Sequence, residues 1–141
     1  MATINPRLDE AFRQTAYHVY LPRGRVTVHI GEIQQALCGW LTEAGFQHCC
    51  WSIITACNPG ARLLSDKDNG RRQAELETAL SASQWPWRPS LAVDPAGRWP
   101  DEPGVCIGGI PADQARGLAA EYGQLALVSA GIRGMARLEY L

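Results

Sequence analysis

Side chains that can recognise a ligand are concentrated between residues 55 and 72 of this chain. Asn58 and Asn69 each carry hydrogen-bond donors and an acceptor, so they could read an amide, a sugar hydroxyl or a base edge. Arg62 and Arg72 could supply paired donors to a phosphate or a carboxylate. These residue types favour recognition of a small ligand over catalysis.

A second polar cluster spans residues 94–103, where charged residues and a tryptophan are interleaved with proline and glycine. Trp99 could cover a pocket, and Glu102 or Asp94 could act as an acid or a base. Equally, Trp99 could fill the edge of the core while the prolines stiffen the loop. The sequence leaves both interpretations open.

The elements around the first cluster must position its side chains. An apolar strand over residues 49–56 leads into the loop, and Ser65 with Asp68 forms a capping box that begins a helix. The helix is expected to end near residue 83. A loop held between two such elements is a common place for binding residues.

The core-facing side of this helix becomes polar in its first two turns. Leu76 and Leu80 repeat at helical spacing, and counting backwards places Arg72 and Asn69 on the same side. A helix that only packs would carry apolar side chains there. The pattern therefore predicts a polar pocket between the 57–65 loop and the helix. The alternative is that the asparagines satisfy backbone groups of the loop and helix, while the arginines pair with nearby carboxylates.

Apolar periodicity along the rest of the chain indicates one α+β domain over residues 1–141. We expect a mixed, mostly antiparallel sheet with about three helices packed on it, an N-terminal arm over 1–14, and a C-terminal extension or edge strand over 131–141. In the first hairpin the expected register pairs Val19 with Val28 and His18 with His29. The predicted helices cover 32–44, 65–83 and 111–122, and the predicted strands cover 16–21, 26–30, 49–56, 90–93, 105–108, 125–129 and 136–141.

Composition and charge exclude several classes of protein. The net charge is −1, so no basic field exists to attract nucleic acid or an acidic membrane surface. The longest apolar runs are too short to span a bilayer, and no apolar region follows the charged start as a signal peptide requires. We therefore expect a cytoplasmic protein that binds neither nucleic acid nor membrane, and the sequence specifies no oligomeric state.

The five cysteines are expected to be free thiols. Their number is odd, Cys49 and Cys50 are adjacent, and no CxxC spacing occurs, so neither a disulfide framework nor a zinc site is predicted. Cys57 lies inside the loop, and its thiol would be reactive only if Arg62 or the helix start lowered its pKa.

Motifs for catalysis, metals and cofactors are missing from the sequence. It contains no GxSxG, HExxH or Walker pattern, and Gly108–Gly109 lacks the spacing of a dinucleotide-binding loop. His18 and His29 could approach a metal ion together, but a solvated strand face explains them as well. No metal and no cofactor is predicted, and no catalytic residue is assigned.

Several short pieces, taken in order, resemble a bacterial group of uncharacterised proteins, the domain-of-unknown-function family 3293. The resemblance covers roughly residues 15–130. It implies a common fold and a common polar site, but no activity. Leu125 departs from the pattern, since an Asn commonly follows the Gln of the last piece. The pieces are Thr55-Ala56-x-Asn58-Pro59, Ser65 to Asn69, Arg72, Leu76, Asp94-x-x-Gly97-x-Trp99, Glu102-Pro103 and Tyr122-Gly123-Gln124-x-Ala126.

The residues between 55 and 72 predict a protein that binds a small anionic or nucleotide-like ligand, and the positions of the family motif coincide with the same groups. One alternative is a regulatory module that binds other proteins through exposed Trp85, Trp87 and Trp99, because tryptophan is enriched at interface hot spots. Another is an enzyme of unknown reaction that uses Glu102 or Asp94, and a structural hydrogen-bond network would also explain the motif. The predicted ligand-binding residues are Thr55, Asn58, Arg62, Asn69, Arg72, Trp99, Glu102 and Gln124.

Overall fold

Helices and strands alternate along most of the chain. A computed structural model describes residues 5–141. Its strands are β1 (Ala16–Leu21), β2 (Gly24–Val28), β3 (Trp51–Ile54), β4 (Trp87–Val93), β5 (Glu102–Gly108), β6 (Ala126–Ala130) and β7 (Ala136–Tyr140). Its α-helices are α1 (Pro6–Gln14), α2 (Gln35–Glu43), α3 (Asp66–Ser81) and α4 (Ala112–Glu121).

The seven strands form one sheet in the order β2-β1-β4-β5-β3-β6-β7. Every pairing in the described part of the chain is antiparallel. The α+β class is confirmed. The expected sheet is corrected from mixed to antiparallel, and the expected three helices become four because the arm before β1 contains α1.

The two edges of the sheet meet, so the sheet is curled. Ile33 forms an isolated bridge with Met135, and the amide of Gly31 donates to the carbonyl of Ala136 at 2.8 Å. Ile33, and Glu32, whose carbonyl accepts from the amide of Ala136 at 2.9 Å, were predicted to begin a helix. As a result, α2 begins later, at Gln35, with Gln34 as its N-cap.

Two hydrophobic clusters lie on opposite faces of the curled sheet. We call the face inside the curl the inner face; its cluster includes Val19, Trp51 and, from α2, Leu37 and Leu41. The cluster on the outer face joins β3, β5 and β6 to α3 and α4, with Leu76 among its fully buried side chains. The sheet is therefore covered by helices on both sides.

The first hairpin shows that side-chain direction is easier to predict than register. The structure pairs Val19 with Val26 and His18 with Thr27, which is two residues away from the expected pairing. The reason is a tight connection: only residues 22 and 23 lie between β1 and β2. A slip of two residues keeps each side chain on its predicted face, since strand side chains alternate with period two.

Cys38 and Cys49 form a disulfide, so the expectation that all cysteines are free is wrong. Cys38 lies in α2 and Cys49 in the segment that returns to β3, and this turn of the chain brings their Cα atoms within 4.9 Å. Counting cysteines could not reveal this tertiary proximity. Disulfides are rare in the cytosol, and the cytoplasmic location stays a prediction. Within residues 5–141, none of the helices has the length and hydrophobicity needed to span a bilayer.

Candidate functional site

A cavity of about 80 Å³ lies on the inner face, at the end of the curl closest to α1. It exists because the inward positions there carry small side chains, among them Ser90, Ala92, Gly104 and Ala126. The other end of the inner face is filled by large groups such as Trp51. Small and large residues at successive inward positions thus leave one end of the core hollow.

Gly104 is required by the close approach of neighbouring strands. A side chain there would place its Cβ 2.7 Å from the carbonyl oxygen of Ile54 and 2.9 Å from the hydroxyl of Ser90. Because the first contact is with backbone, it cannot be relieved by a rotamer change. The absent side chain helps to keep this wall of the cavity open.

Helix α1 covers the cavity through Leu8, Ala11 and Phe12. It is held by polar contacts at several points: the Tyr140 hydroxyl donates to Asp9, the Tyr17 hydroxyl donates to the carbonyl of Phe12 at 3.1 Å, and Arg98 donates to Gln14 at 3.1 Å. Ala11 is the one buried residue of α1. The helix is therefore a cover resting on the sheet, and its packed side faces the cavity.

Glu102 provides the principal polar group of the cavity wall. It is the first residue of β5 and lies opposite Ala92, which itself lies opposite Tyr17. One carboxylate oxygen accepts a hydrogen bond from Asn58 Nδ2 at 3.0 Å, and the other accepts from Trp99 Nε1 at 3.1 Å. Each oxygen keeps a second acceptor position.

Burial raises the pKa of Glu102 above its ordinary value of 4.5, while the hydrogen bonds from Asn58 and Trp99 act in the opposite direction. Desolvation disfavours the charged carboxylate. The Glu102 carboxyl is held in one position by donors on either side, but it is partly removed from water. A fixed carboxyl with a raised pKa at a cavity wall makes Glu102 a candidate functional residue.

Asn58 and Asn69 stabilise the loop that follows β3. Asn58 adopts a left-handed backbone conformation with φ of 49°, which asparagine tolerates better than most residues. Its amide N–H donates to Asn69 Oδ1 at 2.9 Å, and its own Oδ1 accepts from Asn69 Nδ2 at 2.9 Å and from the amide of Leu64 at 2.9 Å. These bonds match the interpretation in which the asparagines satisfy loop and helix groups.

Arg72 and Gln124 connect two loops to each other. Arg72 donates from Nε to the carbonyl of Ala56 and from Nη2 to the carbonyl of Tyr122, both at 2.6 Å. Gln124 donates to the carbonyls of Cys57 at 3.0 Å and Tyr122 at 3.2 Å. The Arg72 guanidinium therefore clasps the chain after β3 to the chain after α4. We refer to these Arg72 and Gln124 contacts as the loop clasp.

The structure brings five of the predicted residues to the cavity and leaves three outside its wall. The lining includes Thr55, Asn58, Trp99, Glu102 and Gln124. Asn69 and Arg72 support the same loops from behind, through the bonds described above. Arg62 is exposed, next to the cavity-lining residue Ala61.

The cavity also has lining residues that the sequence did not indicate as functional. Tyr17, Ser90, Ala92 and Leu125 belong to this group. The available signal was the pair of small residues at alternate positions of β4, Ser90 and Ala92, in a strand whose other face carries Leu91. Such a pattern indicates missing volume on one face, but it does not indicate which strands lie opposite.

Asp94 stabilises its own turn. Its carboxylate accepts hydrogen bonds from the amides of Ala96 and Arg98 and from the Arg98 guanidinium, and these contacts, with Arg98 first, lower its pKa. Although Asp94 borders the cavity, both of its oxygens are engaged. The two carboxylates considered as an acid or base therefore differ: Asp94 is paired with Arg98 and its pKa is lowered, whereas burial raises the pKa of Glu102.

The three tryptophans considered for protein binding are half-buried, and this corrects the expectation that they are exposed. Trp85 and Trp87 pack against the outer cluster. Trp99 lines the cavity and is fixed by its bond to Glu102. Anchors for a protein partner would need more of the ring surface to be free.

Among residues 5–141, the side chains that line the cavity include carboxylates but no basic group. Its charged lining residues are Asp94 and Glu102, so the inside of the cavity does not attract an anion. No group of three or more potential metal ligands occurs within residues 5–141. The predicted pairing of His18 with His29 is wrong: His18 contacts Thr27 at 2.7 Å, and His29 contacts Glu32 at 2.8 Å.

Comparison with known proteins gives one match. A family model described as "Protein of unknown function (DUF3293)" matches residues 54–127, just over half of the chain. No curated protein and no solved structure matches. The matched segment is shorter than the 15–130 expected, but it contains all eight predicted binding residues. It begins near the end of β3, so α1, β1, β2 and α2 lie outside it.

Proposed function

This chain belongs to the DUF3293 family of proteins of unknown function, and we propose that it binds a small heteroaromatic ligand, of nucleobase type, in the cavity beneath α1. The observation that carries this proposal is the partly buried Glu102 carboxylate, held by Asn58 and Trp99 at the wall of a mainly apolar cavity. The ligand places a ring N–H or an amino group against that carboxylate.

The chemistry of Glu102 favours a donor-bearing ligand. A buried carboxylate is costly unless it is paired or hydrogen-bonded, and two neutral donors leave acceptor positions unused. A ligand N–H would occupy one of them and favour the charged form. Trp99 presents an aromatic side chain in the same wall, where a flat ring could pack against it.

The cavity size favours a base over a whole nucleotide. A volume of about 80 Å³ has room for about five water molecules at roughly 15 Å³ each, which corresponds to a small ring system. A sugar and phosphate would extend beyond the enclosed part of the site. The negative charge predicted for the ligand therefore belongs to a phosphate group outside the enclosed part of the site.

Arg62 is the candidate for contact with a phosphate group. It is exposed beside Ala61, and within residues 5–141 it forms no ion pair with a carboxylate. Arg72 does not serve this purpose because its guanidinium is bound to backbone carbonyls.

Isothermal titration calorimetry with adenine, cytosine, adenosine and adenosine monophosphate tests the proposal. We expect at least one base or nucleoside to bind, and Glu102→Gln to weaken that binding by about tenfold because a charge-assisted hydrogen bond is lost. Glu32→Gln, which changes an exposed glutamate outside the cavity, is the matched control. Arg62→Ala should affect the monophosphate alone. If none of these compounds binds, or if Glu102→Gln binds them as well as the unaltered protein does, the proposed ligand class is wrong.

An enzyme is the second candidate, and the raised pKa of Glu102 is the observation that favours it. A carboxyl group whose pKa is raised by burial in a cavity is suited to act as a general acid. Incubation of nucleosides with the protein, followed by mass spectrometry, would detect turnover. A reaction that requires Glu102 would support catalysis, whereas recovery of unchanged ligand would leave binding as the function.

A further inference from the structure

A second concave surface lies mainly on the outer face of the sheet, and it shares one lining residue, Asn58, with the cavity. It is a groove of about 480 Å³ between α3 and the β4–β5 pair. Leu91 and Pro103, which are opposite each other in the register, form its apolar floor. Gly70 and Ala74 of α3 lie along one wall.

The groove follows from the side-chain pattern of α3. One stripe of α3 lies beside the floor, because its positions follow each other at helical spacing: 66, 70, 73 or 74, and 77. The middle of this stripe carries small residues, Gly70 and Ala74, whereas both ends carry carboxylates, Asp66 and Glu77. Eleven residues of helix separate the two carboxylates by about 16 Å.

The charged residues of the groove are all acidic. Asp66, Glu77 and Asp101 line it, and in the described part of the chain no lysine or arginine does. Within residues 5–141 none of the three is part of an ion pair. Unpaired carboxylates at both ends of an apolar floor are complementary to an elongated ligand that carries positive charges.

Gln73 gives an independent indication that a ligand belongs here. Its side chain lines the groove and is only 6% exposed. Oε1 accepts from the amide of Ala56 at 3.4 Å, but Nε2 is buried and has no hydrogen-bond partner within the described residues. A buried donor without a partner destabilises a protein, and a carbonyl oxygen would satisfy it.

We propose that this groove binds an extended basic peptide. Lysine or arginine side chains of the peptide pair with Asp66, Glu77 and Asp101, and its backbone lies along the floor. One of its carbonyls accepts from Gln73 Nε2 after a rotation of the Gln73 side chain that brings this buried atom to the groove. A span of about 16 Å corresponds to about five extended residues. A polyamine matches the charges but has no acceptor for Gln73, so the peptide is the better occupant.

The test uses a fluorescein-labelled peptide of alternating lysine and alanine, about six residues long, with fluorescence anisotropy as the readout. Gly70→Leu fills the groove from a position where an added Cβ meets no other atom within 4 Å, and leucine is a better helix former than glycine. It should weaken binding by about tenfold or more without unfolding the protein. Gly117→Leu, the same change at an equally open position of α4, is the matched control and should bind as the unaltered protein does.

Further variants separate the contribution of the acidic side chains from that of the Gln73 amide. Replacement of Asp66 by Asn together with Glu77 by Gln should weaken binding about tenfold, and Gln73→Met about fivefold. A peptide with glutamate in place of lysine should not bind. The proposal is overturned if the glutamate peptide binds equally well, if Gly70→Leu binds the lysine peptide like Gly117→Leu, or if spermidine binds in a Gly70-dependent way while the lysine peptide does not.

Discussion

Ala92→Leu tests directly whether the space beneath α1 is hollow. Ala92 lies in the middle of the row Tyr17, Ala92, Glu102 on the inner face, and its side chain borders the cavity. Leucine adds three carbon atoms at this position. Buried carbon is worth about 0.8 kcal/mol per CH₂, so complete burial without strain would raise the free energy of unfolding by about 2 kcal/mol.

Steric strain can only lower that figure, and we expect a result between about 0 and 2 kcal/mol of stabilisation. The matched control is Ala130→Leu, the same change at the filled end of the inner face, where Ala130 lies opposite Trp51. Overpacking of a filled core costs about 1–3 kcal/mol. The change in the free energy of unfolding should therefore be opposite in sign for the two variants.

Urea unfolding followed by tryptophan fluorescence measures both free energies. Folded Ala92→Leu should also lose the proposed ligand, since the added side chain occupies its place. The reasoning is refuted if Ala92→Leu is destabilised as much as Ala130→Leu, because the cavity would then have no room for three carbons, or if Ala92→Leu binds ligand normally.

Three other predictions concern Glu102, the loop clasp and the disulfide. Glu102→Gln removes a carboxyl whose pKa is raised above 4.5 by burial, so its contribution to folding is fully present below that pH and is lost as the pH rises through the folded pKa. Relative to the variant, the unaltered protein should therefore lose stability in urea unfolding as the pH rises above the ordinary glutamate pKa, and a difference independent of pH would contradict this. Arg72→Ala removes two hydrogen bonds of the loop clasp and should lower the free energy of unfolding by about 2–4 kcal/mol. Arg72→Lys should recover only part of this stability. If Arg72→Ala instead leaves stability unchanged and abolishes ligand binding, Arg72 is a ligand contact. Reduction of the Cys38–Cys49 disulfide should lower the free energy of unfolding by about 3 kcal/mol, which would appear as a lower Tm in dithiothreitol. A variant with both Cys38→Ser and Cys49→Ser should not respond to the reductant. If the variant and the unaltered protein respond equally, the pairing is wrong.

Local signals in the sequence predicted a large part of the framework. Ser65 caps α3 as expected, accepting from the amide of Asp68 at 3.1 Å. The polar side of α3 does face the loop after β3, where Asn69 and Arg72 find their partners. Both results depend on spacing within one helix, which the sequence shows directly.

The partners of these groups could not be predicted because they are distant in the chain. Glu102 was assigned to a loop, since proline and acidic residues surround it, but it begins β5. Its place beside Ala92 and Tyr17 depends on the registers of two strand pairs. A slip of one residue in either pair would point Glu102 to the other face.

The most direct test of ligand binding at Glu102 is the NMR signal of the Trp99 indole N–H. This group donates to the Glu102 carboxylate and lies in the cavity wall, and a Trp99→Phe variant would assign its signal. During titration with adenosine, cytosine or adenine we expect this signal to shift while that of Trp51, at the filled end of the inner face, stays in place. The shift should be absent in Ala92→Leu. A Trp99 signal that stays fixed with all three compounds, or one that shifts equally in Ala92→Leu, would contradict binding in this cavity.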